Sequence, residues 1–282
     1  MTRLTQDHPG YPTVVSETAQ DVRENAALQV AGRIGMLFYG AVHLLIAWLA
    51  AQVVMGDHAQ VDSKGALAEI ARTPAGPVLL WALGIGLFLF VLWQVAEAAV
   101  GYTYVHKPRE RAGKRIGSVA RSVTATIIGV GAIGLAQGSG STDTTEQQQA
   151  LTARVLALPY GQVLVAAVAL GILVVAVIIF RKGVKRTFTR DLDLDSLPDG
   201  SHRWVERIGR IGWAGKGLAY ALIGVLVGTA AVTADPNESG GLDKALHALA
   251  GEPYGVALLA LIAIGLAAFG LYCFAAARAL KV

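Results

Sequence analysis

Apolar residues run in long blocks along this chain, with polar and charged residues confined to the stretches between them. Six blocks stand out, at 34–54, 77–100, 116–136, 162–180, 211–233 and 255–277. Each is close to the ~20 residues that a helix rising about 1.5 Å per residue needs to cross a ~30 Å hydrocarbon core. A soluble core can hide one such run, but six in one chain cannot all be covered. The pattern predicts an all-α integral membrane protein with six transmembrane helices. The third block is the most interrupted, with Arg121 and several Ser and Thr residues near its start. The first 30 residues are polar and lack an apolar h-region, so the first block reads as a retained signal anchor rather than a cleaved signal. Within this tail, HPGYP at 8–12 reads as flexible, and Ser16 is a candidate cap for a short helix opening on Glu17, Asp21 and Glu24.

The blocks repeat in pairs. Arg33-Ile34-Gly35, Arg115-Ile116-Gly117 and Arg210-Ile211-Gly212 open the odd-numbered blocks. Pro74-Ala75-Gly76, Pro159-Tyr160-Gly161 and Pro253-Tyr254-Gly255 precede the even-numbered ones, each after an amphipathic stretch. Gly86, Gly171 and Gly265 occupy matching positions further on, where a missing side chain permits close helix contact. Gly224 and Gly228 make a small-xxx-small face of the same kind. Proline suits the first turn of a returning helix, and the glycine beside it suits a tight reversal. The period divides the chain into a tail (1–30), repeat 1 (31–105), repeat 2 (114–186), a linker (187–206) and repeat 3 (207–282). Each unit starts and ends on the same side, so the expected fold is three parallel two-helix repeats with pseudo-three-fold symmetry. These are not the inverted repeats of many secondary transporters.

Charge supplies the orientation. The stretch after the second block carries Lys107, Arg109, Arg111, Lys114 and Arg115, and the one after the fourth carries eight more bases. The three opposite connections share only Lys64, Arg72, Arg154 and Lys244 against nine acidic residues, a formal balance of −5. The positive-inside rule then predicts both termini in the cytoplasm, N-in/C-in, within a bacterial cytoplasmic membrane. The pI near 9.2 reflects these basic rims. Anionic lipid head groups are their expected partners, and nucleic acid is not. With 54% hydrophobic and 16% charged residues the chain lies far from soluble-domain composition. Its single cysteine, Cys273, excludes an internal disulfide and any Cys-based metal site.

Three tandem two-helix units, each with a basic-x-Gly opening and a Pro-x-Gly return, resemble the bacterial membrane family catalogued as domain of unknown function 1206. The likeness covers roughly residues 31–280. It implies an integral membrane protein with three copies of a transmembrane pair, and it brings no activity, cofactor or catalytic residue.

Few ionisable groups fall inside the blocks, and each is a candidate for function. Lys216 and Arg121 occupy equivalent positions, where repeat 1 has Tyr39. Both are long enough to snorkel to the cytoplasmic interface, and the alternative is an ion pair with Glu97, the one carboxylate within a block. His43, near mid-bilayer, aligns with Ala125 and Tyr220. It suits a proton relay, a metal ligand or a neutral hydrogen-bonded packing role, the last being favoured. Gln94, Trp48, Trp81, Trp93 and Trp213 read as packing or interfacial residues. In the outer connections Asp57, His58 and Asp62, and Asp243 with His247, have spacings that a divalent cation could use, though exposed loops are commonly rich in such groups. Asp191-x-Asp193-x-Asp195 imitates an EF-hand opening but has Ser196 where glycine is required. No nucleotide-binding, nucleophile-elbow or zinc-protease motif is present. The sequence therefore points to a non-enzymatic scaffold or accessory subunit of an envelope complex, with a membrane-protein partner and no cofactor. The alternative is a channel or transporter for a small solute, ion or lipid. A lipid-modifying enzyme is a third, weaker reading.

Overall fold

A computed structural model describes residues 26–57, 59–102, 105, 107–138, 144–193 and 200–279. The expected cap at Ser16 lies outside them. The chain forms α1 (Ala26–Val54), α2 (Ser63–Ala71), α3 (Gly76–Ala99), α4 (Pro108–Ala136), α5 (Thr144–Leu156), α6 (Gly161–Val184), α7 (His202–Thr233), α8 (Leu242–Ala250) and α9 (Gly255–Arg278). Six of these, α1, α3, α4, α6, α7 and α9, are long and apolar enough to cross a membrane. Large apolar side chains such as Phe88, Ile127, Ile178 and Ile264 stand on their outer faces at 59%, 66%, 60% and 59% exposure. Such a surface is stable in lipid and not in water.

The leading helices α1, α4 and α7 run 29, 29 and 32 residues, against 24 for each return helix α3, α6 and α9. Each begins well before its Arg-Ile-Gly, so much of the basic sequence read as loop is helix. Arg and Lys are good helix formers, and Pro108 opens α4, where its missing N–H costs nothing.

The three reversals are built alike. The prolines sit in the turn ahead of each return helix, not in its first turn as the sequence suggested. Gly76 N–H donates to Thr73 C=O at 2.8 Å, Gly161 to Leu158 at 2.9 Å and Gly255 to Glu252 at 2.8 Å. A Cβ on any of these glycines would strike carbonyls at the end of the preceding short helix, those of Ala71, Val155 and Leu249. Glycine is required there for close approach.

The outer connections cap the bundle and lock onto one another. Lys64 Nζ donates to Gln147 Oε1 at 3.0 Å, Val61 N–H to Asp243 Oδ1 at 2.6 Å, and Gln149 Nε2 to Ser239 C=O at 3.5 Å. Asp62 caps α2 by accepting from Gly65 N–H at 2.7 Å, and His247 Nδ1 lies 3.3 Å from Asp243 Oδ1. These carboxylates are committed to structure. Among the described residues no cluster of metal-ligating side chains occurs.

The return helix of each repeat packs along the leading helix of the next: α3 on α4, α6 on α7, and α9 on α1. Within repeats, α1 packs on α3 and α7 on α9, but α4 and α6 form no comparable seam. The six long helices thus make an arc, α4–α3–α1–α9–α7–α6, with its two ends in repeat 2.

The matched glycines record this difference. A Cβ on Gly86 would meet the Phe38 ring of α1, and one on Gly265 would lie 2.5 Å from Gly215 Cα of α7. Gly171 has nothing within 4 Å, so it is not a packing glycine. A Cβ on Gly224 would lie 2.8 Å from Leu173 of α6, and one on Gly228 3.8 Å from Ala169 of the same helix. The linker also folds onto the bundle. Thr187–Asp191 forms a 3-10 turn that buries Phe188, and Asp193 N–H donates to Ala279 C=O at 2.7 Å.

Candidate functional site: a polar cavity at the basic end

All six long helices contribute to one cavity of about 80 Å³ at the end of the bundle that carries the basic segments. Tyr39 comes from α1, Gln94 and Glu97 from α3, Arg121 from α4, Lys182 from α6, Trp213 from α7, and Phe269 and Tyr272 from α9. Tyr102 and Asp191 enter from the connections on that side.

Beneath it lies a buried polar cluster. Lys216 is only 6% exposed, so it does not snorkel as the sequence suggested. Its ammonium donates to Tyr39 Oη at 2.9 Å, lies 3.2 Å from His43 Nε2 and stands 4.0 Å from the Phe269 ring centroid. The electron-rich ring face and two polar partners replace the water that the ammonium loses. His43 Nδ1 sits 2.8 Å from Tyr39 C=O, which can only accept, so Nδ1 carries a proton. The Nε2 lone pair is thereby aimed at Lys216. Both residues are reachable because α1 and α7 each flank α9, with glycines at the crossings: Gly40 against Cys273, Gly212 against Phe269 and Gly215 against Gly265.

Arg121 also turns inward. Its Nη2 donates to Ser118 Oγ at 3.0 Å, Tyr102 Oη at 3.2 Å and Gln94 Oε1 at 3.3 Å. All three acceptors are neutral, and no ion pair joins Glu97 to Arg121 or Lys216 among the described residues. The expected Glu97 pair is therefore corrected: the bases find neutral partners on other helices, while Glu97 lines the cavity and keeps a contact of its own.

At the rim, Asp191 bridges two helices. Lys114 of α4 reaches its Oδ1 at 2.5 Å and Lys182 of α6 its Oδ2 at 3.1 Å. Burial by itself would raise the Asp191 pKa and is the largest single influence. The two ammonium groups together outweigh it and hold the carboxyl below its ordinary value. Burial likewise pushes the Tyr102 phenol up, so it stays a neutral donor and acceptor. Trp213 is 8% exposed, and its indole N–H has no acceptor at hydrogen-bonding geometry, although the Tyr272 hydroxyl is close by. Lys182 Nζ lies 4.2 Å from the Trp213 ring centroid.

Of the residues predicted as intramembrane candidates, His43 and Lys216 touch, whereas Arg121 and Glu97 line the cavity above them. Sequence reasoning read Gln94, which is 1% exposed and belongs to the Arg121 network, and Trp213 as packing or interfacial residues, and it did not single out Tyr102, Ser118, Lys182 or Asp191 for this site. One signal was available. Tyr39, Arg121 and Lys216 are equivalent in the three repeats, and equivalent positions face a common centre.

Such a chain, with three related helix pairs and six spanning helices, is a multi-pass membrane protein of tandem-repeat type. It belongs to the family described as Domain of Unknown Function (DUF1206), whose model matches residues 34–101, 116–186 and 211–279. It is also similar to the uncharacterized protein YxxB of Bacillus subtilis (strain 168). The two are 33% identical over 241 residues, covering 86% of this chain and 87% of that protein. No solved structure matches.

Proposed function

We propose that this protein sits in a bacterial cytoplasmic membrane and binds a small solute or lipid that presents an anionic group to the central cavity. The three helix pairs are arranged in parallel about a pseudo-three-fold axis, with both termini and the cavity mouth on the cytoplasmic side. The recurring return-to-leading packing supports the axis, and the basic segments support the orientation. This is the transporter reading, and it is preferred to a passive scaffold because a scaffold has no use for a polar cavity fed by every spanning helix. It is also a non-enzymatic reading: Arg121, Lys182 and Lys216 supply charge and hydrogen bonds, and the Lys216–His43 pair, 3.2 Å apart, is buried and not among the residues lining the cavity.

The observation that carries it is the state of Arg121. Its three hydrogen bonds all leave from Nη2, so Nη1 and Nε have no hydrogen bond among the described residues. Nε–H and Nη1–H point to opposite sides of the guanidinium, so each offers a single charge-assisted donor to a carboxylate or phosphate oxygen. Among the described residues around Arg121, Lys114, Lys182 and Lys216 stand against Asp191 and Glu97.

The test is calorimetric titration of inorganic phosphate into the chain held in phosphatidylcholine nanodiscs. Saturable binding that Arg121→Gln weakens at least 10-fold is expected. Binding unaffected by that change would refute the reading. The accessory-subunit alternative draws on the uncovered face of α6, and copurification of a stoichiometric membrane protein from native membranes would favour it.

A further inference from the structure

Resting on this reading, we infer that the ligand is an anionic phospholipid which enters sideways between α4 and α6, its head group on Arg121 and Lys182 and its acyl chains in the gap.

The gap is real in the packing. Every other neighbouring pair in the arc of long helices shares a seam, whereas α4 and α6 share none to match. The exposure of the helices follows. In the most apolar window of each helix, 50% of α1 and of α9 is buried, falling to 28% for α4 and 17% for α6. Gly171 shows where the opening points. Its counterparts Gly86 and Gly265 face the leading helix of their own repeat, so Gly171 faces the place where α4 would be if the pair closed. That place is empty around it.

Charge selects the occupant. The two helices that part each carry a cation that lines the cavity, Arg121 on α4 and Lys182 on α6. A head group at the end of this gap therefore meets a cation on either side while its chains stay at bilayer depth. The indole N–H of Trp213, buried and without an acceptor of good geometry, supplies one more donor on the same wall. The exposed positions of the spanning parts are mostly valine and isoleucine on α4, and valine, isoleucine and leucine on α6, which suits acyl chains and not a soluble solute. The outer end is closed by the interlocked cap of α2, α5 and α8. The basic end is closed by Asp191, which ties Lys114 of α4 to Lys182 of α6. A lipid phosphate placed there competes with Asp191 for Lys182, so the carboxylate acts as an exchangeable latch.

The experiment is native mass spectrometry of the full chain after equilibration with phosphatidylglycerol or phosphatidylcholine, alongside the phosphate titration above. One tightly held phosphatidylglycerol per chain is expected, retained at least 10-fold less by Arg121→Gln. Gly171→Trp, placed where an added Cβ meets nothing within 4 Å, is expected to lose the lipid to the same extent but to keep phosphate binding. Phosphatidylglycerol carrying a photoreactive acyl chain should crosslink to 116–136 and 161–184, a readout that needs no variant.

Lipid held equally by wild type and Gly171→Trp, or crosslinks spread evenly over all six spanning helices, would overturn lateral access and leave the anion reading intact. Lipid held equally by Arg121→Gln would mean boundary lipid on the basic rim, and would overturn the head-group site. Loss of both phosphate and lipid binding from the wild-type chain would sink both readings together.

Discussion

Alanine placed at Gly265 and at Gly171 should have opposite effects, although the two residues are equivalent in the repeat. At Gly265 the added Cβ lies 2.5 Å from Gly215 Cα, a backbone atom with no rotamer through which to retreat. Carbon contacts are favourable near 3.5–4.0 Å, so α7 and α9 must separate by about 1 Å. Overpacking of this kind costs about 1–3 kcal/mol. Replacing glycine inside a helix returns about 0.5–1 kcal/mol at most. The net for Gly265→Ala is a loss of roughly 1–2 kcal/mol. Gly86→Ala meets a phenylalanine ring, which can rotate, and should cost less. Gly171→Ala meets nothing and should be neutral or stabilising by up to about 0.5–1 kcal/mol. Between the extremes lies about 2 kcal/mol, or roughly 30-fold in an unfolding equilibrium constant. Reversible unfolding in mixed micelles at rising SDS fraction measures this directly. A Gly171→Ala variant as damaged as Gly265→Ala would mean that α4 and α6 are closed against each other, and the arc would be wrong. Adding Gly215→Ala to Gly265→Ala should cost less than the sum of the singles, because the helices have already parted.

Three further outcomes are expected. His43→Leu and Lys216→Met each leave a buried partner short of a hydrogen bond at about 1–3 kcal/mol, while the double variant should cost clearly less than the sum; strict additivity in the same unfolding assay would deny the contact. The Asp191 latch has a depressed pKa, so its contribution is present above the ordinary carboxylate range and is lost as pH falls through the lowered value. Amide protection factors over Thr187–Asp191, corrected for the intrinsic pH dependence of exchange, should stay high from pH 7 to about 4 and fall only below that, whereas Asp191→Asn should be weakly protected throughout; a wild-type loss of protection near pH 6 would contradict the ion pairs. In a Cys273→Ala background, Glu252→Cys should react with an impermeant maleimide on spheroplasts and Arg203→Cys should not, and the reverse pattern would invert the orientation.

Much of the fold was legible because one lipid-facing constraint dominates the sequence. Spans of ~20 apolar residues and glycines at fixed offsets from Pro-x-Gly are local signals, and the return glycines Gly76, Gly161 and Gly255 proved necessary for local reasons. The outer turns were visible as amphipathic stretches, but their interlocking was not, since Val61 and Asp243 are far apart in sequence. Helix ends were misplaced at the basic side, where charge was read as loop although Arg and Lys continue a helix readily. The repeat itself misled at Gly171: periodicity predicts the same packing three times, and the difference arises from which helices find neighbours.

The candidate site fared differently because buried charge is settled by tertiary partners. Snorkelling is the sound expectation for a lysine near a helix end, and Lys216 escapes it only because Tyr39, His43 and Phe269 converge on it from two other helices. Glu97 and Arg121 share the depth needed for an ion pair, yet depth does not fix azimuth, and Arg121 is turned toward Gln94, Tyr102 and Ser118. Alignment of the repeats carried more of this than composition did. Tyr39, Arg121 and Lys216 differ chemically, which argues against a symmetric polar ring. Their equivalence nonetheless brings a phenol, a guanidinium and an ammonium toward one centre, where a symmetric ring of three cations would repel itself. Divergence of the three repeats at this position, and at the one holding His43, lets the centre be polar without three like charges meeting, and it leaves Arg121, on the helix that borders the gap, with Nε and Nη1 unengaged among the described residues.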